Sequence, residues 1–186
     1  MNKDYLAPGI TAIALAVLYP IYWLTEIGTS LDMGAMRTDV GLLDILFFIV
    51  CAMVAYIYFA LKQMLNDHYE YHGADTLLLT LVVLNLVFYT AIFLLAVFEA
   101  TEFVFGAVFI GGTFAIGALD LLLGICLLRT DVGLNNRLRT FAAFVVVLGV
   151  VEVTVFLSLA AIIVYPICVL ILASAFLKDP EELQIV

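Results

Sequence analysis

Charged residues are scarce in this sequence, and basic residues are the scarcest of them. Among 186 residues there are 7 Lys and Arg against 16 Asp and Glu, and the formal net charge is −9. A nucleic-acid-binding surface needs clustered Lys and Arg to neutralise phosphates, so we expect no nucleic-acid partner. The same shortage leaves no basic cluster that would dock on anionic lipid headgroups.

Sequence motifs of the common enzyme classes are also missing. There is no Gly-rich phosphate loop, no GxSxG nucleophile elbow and no complete Ser/His/Asp grouping. The three cysteines, Cys51, Cys126 and Cys168, lie inside apolar runs and form no CxxC pair, so we interpret them as small packing residues. These absences argue against an enzyme, and we expect no bound cofactor; an intramembrane enzyme that uses His68 and His72 stays a third alternative.

Hydrophobic residues, in contrast, make up 66% of the chain, and charged residues make up only 12%. Soluble domains contain about 45–50% apolar and about 25% charged residues. A chain of this length has too little interior to hide so many apolar side chains from water. The sequence therefore predicts an integral membrane protein whose main partner is the lipid bilayer.

Apolar runs recur along the chain and predict an all-α, polytopic transmembrane helix bundle. A membrane-spanning helix needs about 20 mostly apolar residues. The last apolar run, from Thr140 to Leu177, would be about 55 Å long as one helix, so we divide it by a turn near Ser158. Five spans, or a re-entrant sixth segment, is the alternative. The predicted single domain, residues 1–186, has spans at about 7–27, 41–61, 76–98, 103–128, 139–157 and 160–177.

The distribution of basic residues predicts the orientation. With six spans and a cytoplasmic N-terminus, Arg37 is the one basic residue on the outer side. The inner side holds Lys3, Lys62, Arg129, Arg137, Arg139 and Lys178. This asymmetry follows the positive-inside rule. We expect a multi-pass protein of the plasma (inner) membrane with both termini in the cytoplasm.

The six-residue sequence RTDVGL occurs twice, at residues 37–42 and 129–134. Each copy lies between two apolar runs, and the offset is close to half the chain. At the same offset Pro20 corresponds to Gly112, so both halves carry a helix-weakening residue in their first span. These matches favour two three-span halves in inverted orientation, a common plan among transporters. A local origin of the repeated loop is the alternative.

Polar residues inside lipid-spanning segments are costly, and they tend to face a bundle interior or a water-filled cavity. Asp44, Asn85, Asp120 and Glu152 fall inside predicted spans, and Glu99 adjoins the third. We take these five residues as candidates for an ion or proton path. The amide of Asn85 is also expected to form a hydrogen bond with another helix.

Asp120 shares a helix face with Gly117, which would let a neighbouring helix approach closely. Its position predicts a location near the cytoplasmic end of the fourth span, and the alternative role is a carboxylate paired with Arg129, Arg137 or Arg139. A second small-residue face includes Gly111 and Ala115 and predicts packing on the other side of the span.

Glu152 lies about 20 Å along the helix from Arg139, in the outer half of the fifth span. A lone glutamate there must be neutral, paired or hydrated. A protonatable group on an ion path and a salt bridge with Arg37 are the two interpretations. Other acids on the outer side predict a negative vestibule, or else simple solvated charge. They are Glu26, Asp32, Asp39 and Glu102, together with Asp44 and Glu99.

Three aromatic residues near the outer end of the first span, Tyr19, Tyr22 and Trp23, are typical of the aromatic belt at a membrane interface. His68 and His72 are four residues apart, a spacing that places two metal-binding imidazoles on one helix face if the helix continues past His72. Gly73 predicts that the helix ends just beyond it, and a solvated loop is the alternative.

Two functions compete on these grounds. The first is a small transporter or channel for a cation or a proton-coupled solute, based on Glu152, Asp44 and Asp120. The second is a noncatalytic membrane scaffold or accessory subunit, a homo-oligomer or the partner of another membrane protein, based on the small residues of the fourth span. A water-accessible cavity at Glu152 or Asp120 favours the first, and dry packing around them favours the second.

Overall fold

The computed structural model describes residues 5–33, 42–98, 101–154 and 158–178. Within these ranges the chain forms six α-helices and no strand. The helices are α1 (Leu6–Met33), α2 (Leu42–Tyr69), α3 (Asp75–Val97), α4 (Glu102–Arg129), α5 (Asn136–Val153) and α6 (Ser158–Phe176). The predicted all-α bundle is confirmed.

Five of the six helices, α1 to α4 and α6, are long and apolar enough to cross a membrane. The fifth, α5, has 18 residues and carries three charged ones, Arg137, Arg139 and Glu152. Large apolar side chains such as Ile10, Leu86 and Ile163 are exposed on the outside of the bundle. Because water would make such a surface aggregate, lipid is its natural solvent, and the chain is a multi-pass membrane protein.

The long apolar run near the C-terminus is divided as predicted. Helix α5 ends at Val153 and α6 begins at Ser158, and the two helices pack against each other. Residues 155–157, which join them, lie outside the described residues. Pro20 and Pro166 both lie inside helices, in α1 and α6.

The six helices form a closed ring in chain order. Each helix packs against the next one along the chain, and α6 packs against α1 to complete the circle. The tightest contact is between α4 and α5. A Cβ atom added to Gly149 would lie 2.5 Å from the backbone nitrogen of Leu121, and one added to Gly124 would lie 2.8 Å from the carbonyl oxygen of Ala142. Only glycine permits helices to approach so closely in lipid.

Both ends of the described chain lie at one end of the ring. The Tyr5 hydroxyl donates a hydrogen bond to Asp67 at 3.1 Å, and Gly9 packs against Leu177. This end also carries the lysines and arginines of the described residues. They are Lys62, Arg129, Arg137, Arg139 and Lys178. We call it the basic end.

The interior of the bundle differs between the basic end and the opposite end. The half near the basic end is filled by large apolar side chains that are almost fully buried. They include Leu15, Leu61, Leu78, Leu127, Leu172 and Phe176. The opposite half, toward the C-terminal ends of α1, α3 and α5, contains a cavity. The bundle is therefore packed at the basic end and hollow at the opposite end, where the candidate site lies.

The two RTDVGL copies precede α2 and α5 in the sequence. Leu42 is the first residue of α2, and residues 37–41 lie outside the described residues. The second copy leads from Arg129, the last residue of α4, to the loop before α5. Asn135 caps α5 by accepting a hydrogen bond from the Leu138 backbone N–H at 2.7 Å. The inverted relation of the two halves stays a prediction.

Candidate functional site

The candidate site is a cavity of about 180 Å³ enclosed by the ring, and all six helices contribute to its walls. A cavity needs roughly 10–15 Å³ to hold one water, so this one has room for several waters or for a small solute. Its non-aromatic polar side chains come from α3, α4 and α5 and are Asn85, Thr113, Asp120 and Glu152. Three of the candidates predicted from sequence therefore meet at one place.

Two carboxyl groups lie together in the wall of the cavity. Asp120 is 1% exposed and Glu152 is 8% exposed. The Tyr58 hydroxyl donates a hydrogen bond to Asp120 Oδ1 at 3.1 Å, and the side chains of Asp120 and Glu152 are within hydrogen-bonding reach of each other. Oε2 of Glu152 is buried and accepts no hydrogen bond from a described donor.

The close packing of α4 on α5 brings the two acids together. A Cβ atom on Gly117 would lie 2.6 Å from the Cβ atom of Glu152. The glutamate side chain therefore fits against α4 because residue 117 has no side chain. The sequence predicted Asp120 and Glu152 at different depths, Asp120 near the cytoplasmic end of the fourth span and Glu152 in the outer half of the fifth. That prediction is wrong, because the close packing at Gly117 and Gly149 sets α4 and α5 in a register that brings the two side chains together.

Neither acid pairs with an arginine in the described part of the chain. Arg137, one of the partners considered for Asp120, instead donates a hydrogen bond to the backbone carbonyl of Ser174. Arg37, the partner considered for Glu152, lies outside the described residues. The contacts of Asp120 with Tyr58 and Glu152 show that it is an interior residue and not an interfacial carboxylate.

Aromatic side chains form much of the remaining wall. The rings of Tyr19 and Tyr165 lie 4.4 Å apart, and the Trp23 ring lies 6.4 Å from that of Phe109. All four residues line the cavity. The prediction that Tyr19, Tyr22 and Trp23 form an interfacial belt is wrong, because Tyr19 and Tyr22 are buried and Trp23 faces the chamber.

Asn85 is buried and lines the cavity, but its hydrogen bond is local. Its Nδ2 donates to the carbonyl oxygen of Leu81, one turn earlier on the same helix, at 2.8 Å. The predicted hydrogen bond to another helix is therefore wrong. Two other candidates, the Asp44 side chain and Glu99, lie outside the described residues. Among the vestibule acids, Asp39 also lies outside them, as do the side chains of Glu26, Asp32 and Glu102.

The three residues predicted to pack helices differ in their surroundings. Gly117 is buried against α5, and Ala115 is partly buried. Gly111 is exposed, and no described atom lies within 4 Å of the place where its Cβ would be. The second small-residue face of α4 thus points outward at Gly111, away from the rest of the ring.

The two histidines do not share a helix face. Helix α2 ends at Tyr69, Glu70 adopts a left-handed φ of 49°, and His72 lies in the following loop. His72 Nδ1 is 3.4 Å from Asp75 Oδ2, while the ring of His68 lies beside that of Tyr5. No group of three metal-ligating side chains occurs in the part of the chain that the structure describes. The paired-imidazole site is not formed.

Tyr58 and Tyr165 were missed by the sequence reasoning, and Tyr19 was assigned to the wrong environment. One signal was available. The tripeptide Tyr-Pro-Ile occurs at 19–21 and again at 165–167, in the first and last helices. Both tyrosines of this tripeptide lie in the cavity wall and contact each other.

No protein-family model, curated protein or solved structure matches this chain. Its function must therefore be argued from the cavity itself. Two adjacent carboxyl groups can hold a shared proton or bind a cation, and aromatic faces also attract cations. The chemistry of the walls thus favours a positively charged occupant.

Proposed function

We propose that this protein is a small membrane transporter for a cation or for a solute that moves together with protons, with the Asp120–Glu152 pair as its binding element. The observation that carries the proposal is the pair of adjacent carboxyl groups, Asp120 and Glu152, in the wall of a cavity within a membrane bundle. A scaffold needs only packed helices and does not require such a cavity.

The energetics of the pair support this role. A buried carboxylate without a partner costs several kcal/mol, roughly 2–7 for a polar group and more for a charge. No Lys, Arg or His lines the cavity among the described residues, so the protein itself supplies no counter-ion there. Two touching carboxyl groups are stable when they share a proton or bind a cation. Exchange between these two states would couple cation movement to proton movement.

The orientation follows from the basic end. Basic residues are retained on the cytoplasmic side of a membrane, so the basic end with both chain termini faces the cytoplasm in our proposal. We propose the plasma (inner) membrane as its location, and with this orientation the cavity lies in the outer half of the protein. The packed inner half would act as the closed gate, and transport requires a second state in which it opens.

A second function, a scaffold or oligomer-forming subunit, has one observation in its favour. Gly111 is exposed on the outside of α4, with Ala115 one turn further along the same helix. Small residues at this spacing permit close helix–helix contact in lipid, either with a second copy or with another membrane protein. Gly111→Leu should then dissociate the complex in detergent, and an unchanged mass for the detergent-solubilised particle would count against this function.

Transport is tested by reconstituting the full chain in liposomes that enclose a pH-sensitive dye. We expect that an imposed cation gradient moves protons in the wild type, and that Glu152→Gln abolishes this movement while the protein still folds. Asp131→Asn is the matched control, because Asp131 is exposed in the loop between α4 and α5 and its loss changes the charge equally. Wild-type flux from Glu152→Gln would remove Glu152 from the mechanism.

A further inference from the structure

From the cavity walls we infer the substrate class: a small organic ammonium ion that carries at least one N–H group. This inference rests on the proposed transport function and specifies its cargo. It depends on three features of the cavity, namely its aromatic faces, its carboxyl pair and its volume.

The aromatic faces favour an organic cation over a bare metal ion. Trp23, Phe109, Tyr19 and Tyr165 line the cavity, and the indole of Trp23 lies edge-on to Phe109 at a centroid distance of 6.4 Å. A metal ion the size of Na⁺ or Mg²⁺ requires several oxygen ligands. Aromatic contact stabilises a bound ammonium ion with hydrocarbon substituents in two ways. The ring faces attract its positive charge, and the rings also cover its apolar surface.

The carboxyl pair specifies the polar end of the ligand. Glu152 is 8% exposed, lines the cavity and leaves Oε2 without a partner among the described residues. An N–H group on a bound ammonium ion would donate a hydrogen bond to the Glu152 carboxylate, whereas a quaternary ammonium ion has no N–H to donate. Binding of the cation would displace the proton shared between Asp120 and Glu152, so that charge inside the bundle stays constant.

The volume limits the size of the hydrocarbon part. An engineered cavity of about 150 Å³ in another protein binds benzene. The cavity here, at about 180 Å³, therefore has space for one ring and a short ammonium-bearing arm. Benzylammonium is a suitable probe, and benzyl alcohol is its neutral match in size and shape.

The chain contains one tryptophan, Trp23, which lines the cavity and so reports on its contents. The experiment titrates benzylammonium into the purified full chain in lipid nanodiscs and records tryptophan fluorescence. We expect a saturable change, with benzyl alcohol binding at least about tenfold more weakly because it lacks the charge. Equal affinity for the two probes, or no saturable change with benzylammonium, would overturn the inference.

Variants connect the signal to the site. Glu152→Gln should weaken benzylammonium binding by about tenfold or more, and Asp131→Asn should leave it unchanged. If Glu152→Gln fails to fold, Phe109→Leu replaces it. We expect this variant to bind several-fold more weakly, with Phe144→Leu, which is outside the cavity wall, as its control. Equal binding by Phe109→Leu and Phe144→Leu contradicts the aromatic part of the site.

The experiments test the substrate class and the transport function independently. Flux that depends on Glu152 and is driven by Na⁺ or K⁺, without benzylammonium binding, overturns the substrate class and leaves the transporter. Saturable benzylammonium binding without flux of any cation overturns transport and leaves an ammonium-binding membrane protein. Flux of benzylammonium that depends on Glu152 supports both.

Discussion

The rings of Tyr19 and Tyr165 lie 4.4 Å apart, and each tyrosine is followed by a proline within its helix. Their contact is part of the packing of α6 on α1 that closes the ring. Proline has no backbone N–H, so the carbonyl groups of Ala16 and Ile162 lose their usual helical donors beside this contact. The junction between α1 and α6 therefore combines a specific ring contact with two weakened helix turns. We expect it to move when the cavity changes state.

The tyrosine contact can be measured by a double-mutant cycle. We expect Tyr19→Leu and Tyr165→Leu to show a coupling free energy of unfolding of about 1 kcal/mol, because adjacent aromatic rings contribute about 0.5–1.5 kcal/mol beyond their area burial. The measurement is denaturant unfolding in detergent micelles. The control cycle pairs Tyr165→Leu with Tyr56→Leu, since Tyr56 is exposed on α2, and its coupling should be near zero. Equal couplings in the two cycles would contradict a specific contact.

The hydrogen bond from Tyr58 to Asp120 gives a second prediction. Tyr58→Phe keeps the ring and removes the donor, which leaves a buried carboxyl oxygen without its partner. We expect the free energy of unfolding to fall by about 1–3 kcal/mol. Tyr56→Phe removes the same group from an exposed position, 44% accessible on the same helix, and should change stability by less than about 0.5 kcal/mol. A loss of the same size in both variants would show that the Tyr58 hydroxyl has no specific role.

Much of the fold was accessible from sequence, and the reasons for the misses are physical. Apolar runs predicted the helices because lipid requires about 20 such residues per span. Asp120 and Glu152 were identified because polar groups inside spans are costly. Their contact was not foreseeable, since it depends on the axial register of α4 against α5, which is fixed by Gly117 and Gly149 and not by span boundaries.

The aromatic wall shows a different limit. Tyrosine and tryptophan are amphipathic, so they suit a membrane interface as well as a hydrated cavity. Their residue types and their position near the end of the first span therefore predicted that Tyr19 and Trp23 lie at the interface, although both line the interior cavity. Likewise, Gly111 and Gly117 both suggest close helix packing in the sequence, but Gly111 faces outward and Gly117 faces α5. Which face of a helix meets a neighbour is decided by the ring as a whole.

The glycines of α4 and α5 yield a third prediction. Gly149→Ala places a methyl group 2.5 Å from the backbone nitrogen of Leu121, where no side chain can move aside. We expect a loss of about 1–3 kcal/mol in the free energy of unfolding as the helices separate. Since this contact also positions Glu152, proton flux should fall as well. The measurements are denaturant unfolding and liposome flux on the same preparation.

Gly111→Ala is the matched control for that experiment. The added methyl group meets no described atom within 4 Å, and alanine favours a helix over glycine by roughly 0.5–1 kcal/mol. We therefore expect unchanged or slightly higher stability and unchanged flux. A destabilised Gly111→Ala would contradict the outward orientation of Gly111, and a neutral Gly149→Ala would contradict the close packing of α4 on α5.

The proposed orientation can be tested with single cysteines in a chain whose three native cysteines are replaced by alanine. His72 has an exposed side chain in the loop beyond α2, at the basic end, and Phe103 is 85% exposed at the start of α4, at the opposite end. With sealed cells and a membrane-impermeant maleimide, we expect Phe103→Cys to be labelled. His72→Cys should be labelled only after permeabilisation, because positive residues keep its end in the cytoplasm. Labelling of His72→Cys in sealed cells, with Phe103→Cys protected, would invert the protein and place the cavity in the cytoplasmic half.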